Sequence, residues 1–447
     1  MVLIESHSSG GHHGRSIHLQ PINFLWGKPA PSLLPITQLA QASHQLLLKD
    51  AAAAVENLEY GDALGCPRLR KQIASLLNLF YQKSRVDSTN ICITAGASFA
   101  LPTILNVLTD SAITKCIWVV SPCFYLACRM FEDVGFAGKI KAVPERGDGS
   151  VDIEALDQAM SEVEQATKSV ASYRKTYTHI IYTVPTFSNP SGKVMPLTCR
   201  QKLVDVARQH DGLIVSDDIY DMLQWSSTPG EEETTLCNYT PPRFVDIDRS
   251  KSHSSTDLAS FGNALSIGSL SKIVAPGTRI GWVDADAALV NALGQYGSSL
   301  AGGGPTSQLV QGVVVELLRN NWLEHHIKFT LVPAYRTRRQ LMVQAIEDHL
   351  RPLGVVLEGP PSGGRAIVGG FFLWLRLPPR VSSHMVKTIC AEQELLAICP
   401  GADCRVLEDE DVAVWDGFVR LSYSYEEEGN LVEGIVRLAR AIKVLMK

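Results

Sequence analysis

From residue 90 the chain alternates short apolar runs with segments of helical periodicity. The runs are NICIT, CIWVVS, KIKAVP, THIIYTV, GLIVSD, ALSIGS and RIGWVDA. They are apolar along most of their length rather than at every second position. A strand with one wet face would alternate, so these strands are predicted to be covered on both faces, in a mostly parallel sheet between helices. Ahead of them, the apolar and alanine positions of residues 37–57 predict a helix. A second is predicted from Pro67 to Phe80, where proline stands at a helix start. Residues 226–263 contain TPGEEETT, PPR and RSKSHSSTD and read as a long surface excursion. A long helical stretch is predicted after residue 305, ending near 350. The last hundred residues hold two strand patterns, GGFFLWLRL and GFVRLSYS, and two helical ones, SHMVKTICAEQE and GNLVEGIVRLARAIK. They predict a second, smaller α+β unit. Four parts are expected: a Ser/Gly/His-rich tail over 1–18, an N-terminal arm and helix over 19–57, a large unit over 58–330 and a small one over 331–447.

A length of 447 residues fits two or three such parts better than one core. With 45% hydrophobic and 19% charged residues, the composition is that of a globular protein. A net charge of -5 gives no electrostatic reason to expect nucleic acid or an anionic membrane as partner. No apolar run is long enough for a bilayer, and the N-terminus lacks the order of a signal peptide, so a cytoplasmic location is expected. The ten cysteines are scattered and read as reduced thiols. Cys390, Cys399 and Cys404 form a loose cluster whose spacing does not suit zinc. His12 and His13 belong to the tail, and no metal site is expected.

The candidate chemistry gathers around Ser266 to Val283, SIGSLSKIVAPGTRIGWV. A strand enters a turn and is followed by Lys272, Pro276-Gly277, Arg279 and a second strand. A lysine held away from water is an amine nucleophile for carbonyls. Ser269, Ser271 and Arg279 supply hydroxyls and a cation suited to a phosphate. Taken alone, Lys272 reads as a surface lysine beside a turn. LIVSDDIYDML ends an apolar strand on Asp217-Asp218, with Tyr220 following. A carboxylate at that edge can pair with a protonated ring nitrogen, though a solvated turn would look the same. YTVPTFSNPSG turns after a strand at Asn189, and ITAGASFAL runs through Gly96 into a helix whose N-terminus suits an anion.

The pattern S-x-S-K-x-x-x-P-G-x-R-x-G-W resembles the cofactor-lysine segment of the fold-type I aminotransferases that use pyridoxal 5'-phosphate (PLP). It is most similar to the branch of 2-aminoadipate, kynurenine and aromatic aminotransferases. The resemblance spans about residues 22–445 in seven ordered segments. It implies a seven-stranded, mostly parallel α/β sheet with a smaller α+β domain. It makes Lys272 the Schiff-base lysine and general base. Asp217 then pairs with the pyridine nitrogen, leaving Asp218 as a cap or surface residue. Asn189 and Tyr220 bond the cofactor's O3'. Ala97, Ser98, Ser269, Ser271 and Arg279 hold the phosphate, with Ala97 standing where relatives usually carry a hydroxyl. Phe124 stacks on the ring, one step before Tyr125, and Ser121 stands where the family commonly has an acid.

The same resemblance assigns the substrate's α-carboxylate to Arg420, with Arg376 and Arg405 as rivals, and to the backbone of Gly27. Trp26 is then a wall of the substrate pocket. Tyr60, with Gly61 and Gly65, matches a segment that reaches the phosphate of a neighbouring subunit, so a homodimer is implied, with residues 19–57 contributing to it and to the small domain. The implied reaction moves an amino group between an L-amino acid and a 2-oxo acid. Elimination, substitution, decarboxylation or carbon–carbon bond formation on the same scaffold is the alternative. Two departures bear on that choice. Cys404 of PGADCRVLED stands where relatives read P-G-x-x-F, and GGGPTSQ precedes the long helix. Regulators with such a domain behind a DNA-binding segment would need more sequence than precedes Trp26.

Overall fold

A computed structural model describes residues 19–82, 85–163, 175–228, 236–251, 261–302, 304, 306–359, 367–407 and 409–447. The tail therefore lies outside the described residues, as do parts of the 226–263 segment. All seven apolar runs are strands of one sheet: β1 (Ile91–Thr94), β2 (Cys116–Ser121), β3 (Ile140–Pro144), β4 (His179–Thr183), β5 (Gly212–Asp217), β6 (Ala264–Ser269) and β7 (Gly281–Asp284). Their spatial order is β1-β7-β6-β5-β4-β2-β3. Only β7 runs antiparallel to its neighbours. Every residue of β1, β2, β4, β5, β6 and β7 is buried, as unbroken apolar runs require.

The parallel order has one consequence for function. The carboxyl ends of β2, β4, β5 and β6 lie along one edge, and the loops that follow them carry Phe124, Asn189, Tyr220 and Lys272. An open α/β sheet binds its ligands along this edge. Residues scattered over 150 positions are thereby gathered without any of them being near in sequence.

The C-terminal part forms a four-stranded antiparallel sheet from β8 (Val356–Glu358), β9 (Phe372–Arg376), β10 (Cys399–Pro400) and β11 (Phe418–Ser422), in the order β8-β9-β11-β10. Helix Ser383–Gln393 packs on its edge strand β10, and helices Val332–His349 and Glu428–Leu445 pack against each other. The N-terminal arm ties the two sheets together. Ile22–Asn23 pairs with Leu396–Ala397, and the carbonyl of Phe24 accepts from the backbone N–H of Ser422.

Three expectations need correction. The helix over 37–57 is interrupted: Asp50 leaves the helical conformation and its side chain caps a new start at Ala51. The stretch from 305 to 350 breaks at Asn321, which is left-handed. Within 226–263, Phe244–Lys251 is a helix rather than surface loop, with Phe244, Val245 and Ile247 buried. Its polar composition misled because the helix also buries charges. Arg243, just before it, is 1% exposed; it pairs with Asp284 at 2.9 Å and lies over the ring of Tyr81 at 4.0 Å. Among the described residues no helix is long and apolar enough to cross a membrane.

Arg243 meets Asp284, a carboxylate that is fully buried, and Asp246, which is mostly so. Replacing it with Met should therefore lower the unfolding free energy by about 3–5 kcal/mol, read from urea denaturation. Loss of under 1 kcal/mol would mean that this cluster is solvated.

Candidate active site

The sheet edge opens into a cavity of about 690 Å³ between β4, β5, β6, the N-terminal arm and β11. Lys272 stands near its centre. Its loop leaves β6 at Ser269, whose hydroxyl accepts from the N–H of Ser271 at 3.1 Å. The amine donates to the carbonyl of Gly27 at 2.6 Å and lies against the rings of Tyr220 and Phe371. Burial disfavours its charged form and lowers the pKa to about 8, although Asp217 pulls the other way. The result is an amine with a substantial neutral fraction near neutral pH.

Asp217 is the last residue of β5. Burial raises its pKa to about 7, against the pull of a hydrogen bond from Tyr182. The Tyr182 hydroxyl donates to Oδ2 at 3.0 Å, while Oδ1 is buried without a partner. An orphaned carboxylate oxygen beside a cavity is costly unless a donor arrives there.

Asn189, Tyr220 and Arg420 form the opposite wall. Arg420 donates to Asn189 Oδ1 at 2.8 Å and to the carbonyl of Leu25 at 2.7 Å, and its guanidinium lies over Phe372. Its Nε is buried without a partner. The hydroxyl of Tyr220 meets the side chain of Asn189, and burial raises its pKa above the ordinary range.

The third wall is built for an anion. The helix Ala97–Leu108 starts at Gly96 with no side-chain cap, so its leading N–H groups face outward. Gly96 has φ +84°, and a Cβ there would sit 2.6 Å from Nη2 of Arg279. Arg279 can thus lie directly against the helix start. It donates to the carbonyl of Ala95 at 2.6 Å and approaches the Ser271 hydroxyl at 3.4 Å.

These features fit PLP on structural grounds. An uncapped helix start with Arg279 and Ser271 suits a phosphate. Asp217 Oδ1 lacks a donor such as a protonated ring nitrogen, and Lys272 is an amine ready for an aldehyde. Trp26, Gly27, Ala97, Ser98, Phe124, Asn189, Asp217, Tyr220, Ser269, Ser271, Lys272, Arg279 and Arg420 all line this cavity. Tyr60 does not; it is 89% exposed on the outer surface.

Some sequence expectations change. Asp218 is neither cap nor surface: it is buried behind the sheet edge, accepting from Ser216 and Ser266 with Arg243 and Arg200 nearby. Consecutive residues of a strand point to opposite sides, which sends Asp217 to the cavity and Asp218 away. Arg376 is not a rival for Arg420, since it is paired outside with Glu358. The Gly27 carbonyl is engaged by Lys272. Ser121 is joined by Glu410, whose carboxylate accepts from its hydroxyl at 2.5 Å, so an acid reaches this position from elsewhere in the chain. Tyr182 was missed. The signal was present: it is the hydroxyl-bearing aromatic within an apolar strand.

The family model for aminotransferase class I and II matches residues 23–437. An uncharacterized protein of Saccharomyces cerevisiae is 32% identical over 438 residues, covering 93% of this chain and 95% of its own. An aromatic-amino-acid aminotransferase of Thermococcus litoralis is 28% identical, covering 95% and 89%. The kynurenine aminotransferase of Pyrococcus horikoshii, solved with PMP, is similar at a TM-score of 0.74 and 26% identity, covering 96% and 92%.

Asp217 has its pKa raised by folding, so its burial cost is absent below about pH 4 and grows until pH 7. Asp217→Asn should therefore raise the melting temperature of cofactor-free protein at pH 8 and leave it unchanged near pH 4. Equal shifts at both pH values would show that the carboxylate is not desolvated.

Proposed function

As the chain belongs to the aminotransferase class I and II family, we propose that Lys272 is the amine that attaches its PLP and then carries the proton at the substrate Cα. The protein is an aminotransferase that moves an amino group between an amino acid and a 2-oxo acid. The single observation that carries the residue assignment is the shared cavity. It holds an amine whose charged form burial disfavours, a carboxylate with one unpaired oxygen, an uncapped helix start and a guanidinium whose Nε is unpaired.

Bound there, PLP supplies an electron sink for the charge left when the Cα–H bond breaks. Asp217 Oδ1 would hold a proton on the ring nitrogen, and Tyr182 fixes the carboxylate's direction. Asn189 and Tyr220 orient the cofactor's phenolic oxygen. Phe124 would cover one ring face, while Ala97, Ser98, Ser269, Ser271 and Arg279 would hold the phosphate. Arg420 takes the α-carboxylate through its unpaired Nε edge, which places the Cα–H within reach of Lys272. Trp26 and the Gly27 backbone close the entrance. The amino group leaves the first substrate as its 2-oxo acid is released, and a second 2-oxo acid receives it.

The reading includes a cytoplasmic homodimer in which Tyr60 acts across the interface. Its support is the nearly complete exposure of Tyr60 beside the exposed apolar side chains of Val55 and Leu58. A large cofactor-binding unit over 58–330 and a small unit over 331–447 belong to the same proposal.

Lys272→Ala should remove the borohydride-reducible attachment of PLP and lower kcat by at least about 10³-fold. A persistent adduct would refute the lysine's role. Arg420→Ala should raise KM for the amino acid by about 100-fold while PLP remains bound. Sedimentation should give twice the 48.8 kDa of one chain, and Tyr60→Phe should weaken PLP retention without dissociating the dimer. A monomer that retains full activity would remove Tyr60 from the site.

A further inference from the structure

A crevice of about 310 Å³ lies between the loops that follow β3 and β4 and the C-terminal part of the chain. Gly147, Asp148 and the run Ser191–Val194 form one wall. Arg339 of the helix Val332–His349, Glu358 and residues of β9 form the other. Phe372 borders both this crevice and the active-site cavity. So does a single turn: Asn189 faces the cavity and accepts from Arg420, while Ser191 and Gly192 face the crevice. The turn is closed by the N–H of Gly192, which donates to the carbonyl of Ser188 at 2.7 Å. It rests on β9, since a Cβ at Gly192 would stand 3.3 Å from the carbonyl oxygen of Phe372.

The charges around the crevice are paired with one exception. Asp148 accepts from the N–H and the hydroxyl of Ser150 at 3.0 and 2.7 Å. Glu358 pairs with Arg376 at 2.9 Å, and Lys193 pairs with Glu145 at 3.2 Å. Arg338 takes Glu427 at 2.7 Å. Arg339, the next residue, makes no ion pair and no hydrogen bond among the described residues. Residues 360–366 read PPSGGRA and hold no carboxylate that could pair with it. Burial lowers its pKa, with Tyr423 acting the other way. A guanidinium drawn from water without a counter-ion is costly, and an arriving carboxylate removes that cost through two parallel hydrogen bonds.

The rest of the lining is largely apolar, from Val194, Pro196, Ile367, Val368, Phe372 and Trp374. A matching ligand therefore has one oxyanion and an apolar body. The volume stands at the lower end of small-molecule sites, which hold about 300–1,000 Å³, so a single ring or a short chain fills it.

We propose that this crevice is a second ligand site, for a small monocarboxylate with an apolar body whose carboxylate pairs with Arg339. The bound molecule touches the Ser191–Gly192 turn and β9 together, and so braces the segment that carries Asn189 against the strand that pairs with the one bearing Arg420. The site is separate from Arg420 and does not depend on the aminotransferase reading.

The test is isothermal calorimetry on PLP-loaded protein with 3-phenylpropionate as the probe and its neutral amide, 3-phenylpropionamide, as the control. A carboxylate also suits Arg420, so the readout is the number of molecules bound per chain. Arg339→Gln should bind one molecule fewer than the wild type, and Arg420→Ala should keep that molecule. Arg339→Lys should bind it about tenfold more weakly, because an ammonium cannot form the two parallel bonds. The amide should bind there at least about tenfold more weakly than the acid. Cooperative unfolding by heat shows that each variant is folded. Equal stoichiometry in the wild type and Arg339→Gln, loss of all binding in Arg420→Ala, or an amide that binds as tightly as the acid would overturn the proposal. Failure of the aminotransferase reading would leave the Arg339-dependent molecule in place.

Discussion

Lys272 and Asp217 are two groups of opposite charge, buried at the carboxyl edge of a parallel sheet. Burial disfavours the charged form of both, so one is held near a pKa of about 8 and the other near about 7. Neither is stabilised by the fold as it stands; both become useful when a cofactor supplies the missing partners. The surrounding geometry serves this pair. Tyr182 occupies one oxygen of Asp217 and leaves the other, and the N-terminal arm brings a carbonyl to Lys272. Sites of this kind cost stability, which the rest of the structure offsets.

A buried network of charges lies behind the sheet. Asp218 and Asp221 are buried with Arg200 and Arg243, and the hydroxyl of Tyr81 donates to Asp221 at 2.8 Å. Arg243 also reaches Asp284 of β7, which Arg249 joins at 2.6 Å. Such a network is weak evidence for stability, because desolvating each charge consumes most of the attraction. Its geometric effect is plainer. It ties β5, β6 and β7 together beneath the residues that face the cavity, so Asp217 and the Lys272 loop share one rigid base.

The arm at the N-terminus has a comparable position. Residues 22–24 pair with the C-terminal part, and the carbonyls of Leu25 and Gly27 meet Arg420 and Lys272. Arg420 and Lys272 are thereby spanned by three consecutive residues of one segment. The arm is one of several links between the two parts, with the pairing of Gln224–Ser226 and Ile367–Gly369 and the bond from Arg420 to Asn189.

Much of this was legible from the chain alone. Continuous apolar runs pointed to a mostly parallel, doubly covered sheet, because a wet face would require alternation, but they gave no sign that β7 runs the other way. Lys272, Asp217 and Arg279 each sat in a local pattern with a chemical reason, while Asn189, Tyr220 and Arg420 were assigned by the resemblance. What could not be read was direction. The acids of Asp217-Asp218 look alike in sequence, and only the pleat sends one to the cavity and the other to Arg243. The polar segment around Phe244 gave no sign that its charges were buried, since their partners lie on distant strands. Tyr182 and Glu410 acquire roles only through neighbours far along the chain. The local sequence therefore determined the strands and the chemistry at their ends. Tertiary packing decided which side chains share a cavity and which of them are stripped of water.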